Sequence, residues 1–107
     1  MTTFDKREEG FEKKFALDEE QKFKAEARRN RLLGLWAAEQ LGITGDAATA
    51  YAKEVVAADF EEAGHAAVLR KVAGDLTEKG VAITEAQIRT KMDELMLQAV
   101  AQVKAGT

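Results

Sequence analysis

The chain has 107 residues, 46% apolar and 33% charged, with no Pro and no Cys. This length suits one domain with one core, burying roughly 60–70% of the unfolded surface, and zero Cys excludes a disulfide framework or a thiolate metal site. The net charge of -3 is unevenly spread, with five bases against one acid between positions 22 and 31, a balance that suits a local acidic or phosphate contact better than nucleic-acid coating.

The chain opens with charged residues and holds no apolar run of about 18 residues, so it is expected to be cytoplasmic, with neither a signal peptide nor a membrane-inserted helix. Residues 1–17 carry Phe4, Phe11 and Phe15 at spacings of seven and four, which puts the three rings on one face of a helix. Gly10 weakens such a helix by about 1 kcal/mol, and an isolated helix this short is marginal in water. Two readings follow: a frayed end whose rings pack back on the body, or a mobile segment that becomes helical in a partner's groove. Burying each Phe is worth roughly 1.5–3 kcal/mol, whereas ordering the backbone costs roughly 1–2 kcal/mol per residue. The rings alone therefore cannot order the segment: a partner must also supply charge pairing and a closed groove, or the segment must be partly helical beforehand.

The body, residues 18–107, reads as four amphipathic helices. Asp18-Glu-Glu20 places acids at the positive end of a helix dipole, and the helix is expected to run to Leu41. Its earlier half, Lys22 to Arg31, is expected to project a cationic surface, and its later half, from Leu32, to be buried. Gly42 supplies the stop. After Ile43-Thr-Gly45, with Thr44 or Asp46 as cap, a second helix is expected to about Ala63, with Ala47, Ala48, Tyr51, Ala52, Val55 and Ala58 inward and Gly64 at its end. A third spans about Ala66–Lys79, with Val68, Leu69, Val72, Ala73 and Leu76 on one face and Gly80 as its stop. The fourth begins at the capping box Thr84-Glu-Ala-Gln87, stapled by Ile83 and Ile88, and runs to about Lys104 through Met92, Leu95, Met96, Ala99 and Val103. Short links and the lack of any two-residue period predict an all-α, antiparallel four-helix bundle with a mobile N-terminal segment.

No constellation supports an enzyme. His65 stands alone, without the partners of a multi-histidine metal site or a nucleophilic triad. The paired acids Glu61-Glu62 and Asp93-Glu94 diverge by about 100° on a helix. Gly42-Ile-Thr-Gly45 is too short for a phosphate loop. Trp36, Tyr51, Met92 and Met96 sit in apolar stripes and read as core. The basic cluster Lys22, Lys24, Arg28, Arg29 and Arg31 reads either as a solvated face, with Glu26 at pairing distance along the helix, or as a binding surface. No aromatic interleaving or DNA-binding motif accompanies it, which argues against nucleic acid.

Phe23-Lys-Ala-Glu-Ala-Arg-Arg-Asn-Arg-Leu-Leu-Gly-Leu-Trp-Ala-Ala38 closely resembles the signature stretch of the alphaproteobacterial zeta subunits, small inhibitor proteins of the F-type ATP synthase. Thr2-Thr-Phe-Asp5, Phe11-Glu-Lys-Lys-Phe-Ala-Leu-Asp-Glu19, Tyr51-Ala52, Asp59-Phe60, Gly64-His65, Arg70-Lys71 and Arg89-Thr-Lys-Met92 extend the resemblance over nearly the whole chain. It implies a non-catalytic, cofactor-free protein, monomeric when free and held at the inner membrane only through the ATP synthase. Its N-terminal segment would insert between a catalytic subunit pair and the central stalk, blocking rotation driven by ATP hydrolysis. Phe4, Phe11 and Phe15 would be the apolar anchors there, and Arg7, Lys13 and Lys14 would pair with acidic groups. Lys22, Lys24, Arg28, Arg29 and Arg31 would continue the inserted helix or set its angle. The alternative is a nucleotide-sensing or adaptor bundle whose basic helix binds ADP, ATP or an acidic partner weakly.

Overall fold

The computed structural model describes residues 17–61 and 65–106. The expectations for residues 1–16, including the mobile segment, and for Gly64 as a helix stop lie outside the described residues. Among the described residues there are four helices, α1 (Glu19–Leu41), α2 (Gly45–Glu61), α3 (His65–Glu78) and α4 (Glu85–Lys104). None of them is long and apolar enough to cross a membrane.

Local chemistry sets the ends. Asp18 is the N-cap of α1: its carboxylate accepts from the Gln21 N–H at 2.7 Å, and the Gln21 side chain accepts from the Asp18 N–H at 3.3 Å. This reciprocal box satisfies donors that a helix start would otherwise leave unpaired. At the other end Gly42 adopts φ 75° and the Ile43 N–H reaches back to the Ala38 carbonyl at 2.8 Å, while Ile43 packs on the core. Gly45 enters α2 at φ 62°. A reversal this tight therefore uses two left-handed residues three positions apart, which glycine adopts without a Cβ clash. Asp46 lies inside the first turn of α2 and is not its cap; the Thr44 carbonyl accepts the Ala48 N–H at 3.4 Å. Thr84 caps α4 as expected, accepting from the Gln87 N–H at 3.1 Å and donating its own N–H to Gln87 Oε1 at 2.8 Å.

The helices form an antiparallel four-helix bundle in which α1 packs against the other three. The link of Gly42–Thr44 makes α1 and α2 neighbours. Ala25, near the start of α1, clusters with Met96 and Val100 near the end of α4, which fixes that pair as antiparallel. The main core joins Leu33, Ala37 and Ala38 of α1 to Tyr51 and Val55 of α2, to Val68, Val72 and Leu76 of α3, and to Ile88, Met92 and Leu95 of α4. Fully buried Leu33, Val72, Leu76 and Ile88 each contribute roughly 1.5–3 kcal/mol of apolar burial. Trp36 is half-buried against this core.

Two expectations are corrected. Ala47 is exposed, because it lies in the first turn of α2, where the chain is still leaving the Gly42–Gly45 reversal. Burial on α1 begins at Ala25 and includes Arg29 and Asn30, well before Leu32, because α4 is long enough to cover the earlier half as well.

At the α1–α2 crossing there is no room for a side chain on Gly34: a Cβ there would lie 2.6 Å from the Ala52 Cα and 3.3 Å from the Val55 Cβ. Gly34→Ala is therefore expected to destabilise the bundle by about 1–3 kcal/mol through overpacking. Gly74, inside α3 with open space around it, provides the opposite case, and Gly74→Ala should stabilise by about 0.5–1 kcal/mol. Denaturant unfolding of the two variants checks both signs.

Candidate functional site

The basic half of α1 does not form one surface. Lys24 and Arg31 are exposed and Arg28 is half-buried. Positions 24, 28 and 31 follow an i, i+4, i+7 spacing, which aligns them along one outward face. Lys24 pairs with Glu20 at 3.0 Å, a surface contact worth well under about 1 kcal/mol and easily exchanged for another partner. Arg28 donates from Nη1 to Gln102 Oε1 of α4 at 3.3 Å. Lys22, two residues before Lys24 and so off this face, is half-buried.

Arg29 behaves differently. It is 5% exposed, and its Nε and Nη2 donate to Asn30 Oδ1 at 3.1 and 2.9 Å. A buried guanidinium needs such acceptors, since an uncompensated buried charge is strongly destabilising. The row Ala25, Arg29, Leu33, Ala37 repeats every four residues and turns inward along its whole length. The spacing carries that signal in the sequence, but it is hidden by reading Arg28-Arg29-Asn30-Arg31 as a single charged block. Phe4, Arg7, Phe11, Lys13, Lys14 and Phe15 lie outside the described residues.

Two residues that sequence reasoning passed over stand out beside this face. Asn30 is fully buried, and although its Oδ1 is occupied by Arg29, its Nδ2 has no hydrogen-bond partner. An unsatisfied buried donor costs about 1–3 kcal/mol. Phe23 is 57% exposed, the largest exposed aromatic among the described residues. Phe23 and Asn30 line one notch between α1 and α2, together with Glu26, Ala27, Val56 and Asp59.

The sequence pattern of the ATPase inhibitor subunit zeta family matches residues 1–102. The chain belongs to the zeta family of ATPase inhibitor subunits. A protein solved by solution NMR is 59% identical to it, with the alignment covering 79% of this chain and 96% of that one, at a TM-score of 0.69. No curated protein matches.

On the far side of this zeta-family bundle a second polar cluster ties α2 to α3. The Tyr51 hydroxyl donates to Asp75 Oδ2 at 2.7 Å, and Lys71 Nζ reaches the same oxygen at 3.0 Å. Lys71 also lies 3.6 Å from Glu54 and sits over the Tyr51 ring at 5.2 Å. Burial, followed by the hydrogen bond to the Asp75 carboxylate, holds the Tyr51 hydroxyl well above its usual titration range. Burial pulls Lys71 down, but the hydrogen bond and charge of Asp75, aided by Glu54, outweigh it and raise the ammonium overall. The cluster holds a proton network in place and contains no activated nucleophile.

Both shifts act on stability with one sign. As pH rises, the unfolded chain releases these protons first, so the stabilisation is full below about pH 10 and is lost as pH climbs through the raised folded values. Stability should therefore fall steeply above about pH 10. Tyr51→Phe should cost about 1–2 kcal/mol at neutral pH and flatten the alkaline fall, as read by denaturant midpoints from pH 7 upward.

Proposed function

We propose that this chain restrains ATP hydrolysis by the F-type ATP synthase, its N-terminal segment entering between a catalytic subunit pair and the central stalk while the bundle holds the entrance. The observation that carries this reading is the zeta-family match, which runs from residue 1 through the bundle to residue 102 and so includes the segment as well as its holder. In this reading Phe4, Phe11 and Phe15 supply the apolar contacts of the inserted helix, and Arg7, Lys13 and Lys14 pair with acidic groups around it. The chain itself performs no chemistry.

The basic residues of α1 divide between two tasks. Lys24 and Arg31, with Arg28 between them, face outward and give the bundle a short cationic stripe for an acidic surface at the entrance. Lys22, two residues before Lys24 and so roughly opposite that stripe, adds charge on the other side of the helix. Arg29 is committed to the interior and serves the site by fixing the helix that carries it. Association with the ATP synthase would place the chain at the membrane periphery without a span of its own.

The test is ATP hydrolysis by the purified ATPase head of the same organism, titrated with the full chain and with a form lacking residues 1–17. Inhibition is expected from the full chain alone; equal inhibition by both forms would overturn insertion of the segment. Gly10→Ala should inhibit more strongly, by about fivefold in half-inhibitory concentration, because it removes about 1 kcal/mol of helix cost. Reversing Lys24 and Arg31 together to Glu should weaken binding of the head most at low salt, where the charges are least screened.

A further inference from the structure

Three residues hold the point where the segment proposed above joins the bundle. Asp18 is extended, at φ -79° and ψ 174°. Its carboxylate accepts from the Gln21 N–H at 2.7 Å, and its own N–H donates to Gln21 Oε1 at 3.3 Å. Next to this turn Leu17 is half-buried, packed on the small core of Ala25, Met96 and Val100 between α1 and α4. The sequence holds neither Gly nor Pro from Phe11 to Leu33, so the box is the local chemistry that stops α1 from running further back.

The box and a helix continued upstream exclude each other, because each backbone N–H carries a single hydrogen. In a helix running through position 18, the Gln21 N–H would go to the Leu17 carbonyl and the Asp18 N–H to the Lys14 carbonyl. Neither could remain in the box. Leu17 would lose its seat as well: eight residues before Ala25, it would stand about 12 Å along the axis and about 80° around the helix from it. The Lys22 N–H, which reaches the Asp18 carbonyl at 2.9 Å, is common to both arrangements. The junction therefore offers one set of donors two sets of acceptors.

We propose that Asp18, Gln21 and Leu17 form a latch that ends α1 at Glu19 and opens when the inhibitory segment enters the ATPase head as a helix continuous with α1. The proposal rests on the ATPase reading above and adds a control of its strength. The latch competes with insertion, so each contact that stabilises it raises the concentration of chain needed to inhibit. An extended residue 18 leaves two soft dihedrals as a pivot, whereas a helix through that position joins the wedge to the bundle along one axis. The rival arrangement keeps the bend at Asp18 in the bound state, and there the box would support inhibition.

The test is ATP hydrolysis by the purified ATPase head of the same organism, titrated with the full chain, the parent first. Asp18→Ala removes the cap and should lower the half-inhibitory concentration by about fivefold, the usual cost of a lost N-cap expressed as a ratio. Asp18→Asn keeps a capping oxygen without the charge and should behave like the parent. Gln21→Ala leaves residue 18 as it is and removes its reciprocal partner at a position that is helical in both arrangements; it should lower the half-inhibitory concentration about twofold. A gain in potency cannot come from a chain that fails to fold. Parent-like or weaker inhibition by Asp18→Ala overturns the latch, as does an equal gain from Asp18→Asn, which would trace the effect to charge. Unchanged inhibition by Gln21→Ala overturns it too, since a gain from Asp18→Ala would then reflect only the helix preference of alanine. Gln21→Ala carries the test alone if Asp18→Ala melts below the assay temperature. If the parent does not inhibit, the ATPase reading falls first and the latch with it.

Discussion

The approach of α1 to α2 at Gly34 governs much of what lies around it. With an ideal Cβ only 2.6 Å from the Ala52 backbone, the two helices come as near as their main chains allow, and any side chain at that point would push them apart. Asn30 lies one turn before Gly34 on α1, and Val56 one turn after Ala52 on α2. One turn from this close contact lies the notch lined by Asn30, Val56 and Asp59. A glycine that looks unfavourable to a helix is thus what lets α1 and α2 approach so closely.

Polar groups in the bundle are placed where they fix geometry. Arg29 and Asn30 sit inside α1's packed face and limit how the helix can rotate against its neighbours, since moving either would strand a buried donor. On the opposite side Tyr51, Asp75, Lys71 and Glu54 join α2 to α3 through hydrogen bonds and charge. α4, capped at Thr84, is stacked antiparallel along α1, so the four helices are tied to one another by packing as well as by these polar groups. Such cross-links between helices would serve the steric wedge proposed above.

The outward stripe of Lys24, Arg28 and Arg31 and the Asn30 notch lie on different sides of the same half of α1. Long-range attraction of the stripe to an acidic surface would aid encounter with a partner.

Much of this protein was legible in its sequence because helix ends are local events. Asp18 with Gln21, Gly42, Gly80, and Thr84 with Gln87 each act within four residues, and the apolar stripes of α3 and α4 repeat at the helical period, so the number and order of the described helices, and the bounds of α1 and the start of α4, follow from short-range chemistry. What only the tertiary structure decided is which neighbour meets each face. The three arginines of Arg28-Arg29-Asn30-Arg31 carry the same charge, yet Arg29 is buried, Arg28 reaches Gln102 of α4 and Arg31 is exposed, because a step of about 100° per residue turns Arg29 inward, away from the face that Arg28 and Arg31 share. The role of Gly34 and the open donor of Asn30 were hidden for the same reason: both depend on where α2 lies, and no residue within reach along the chain determines that.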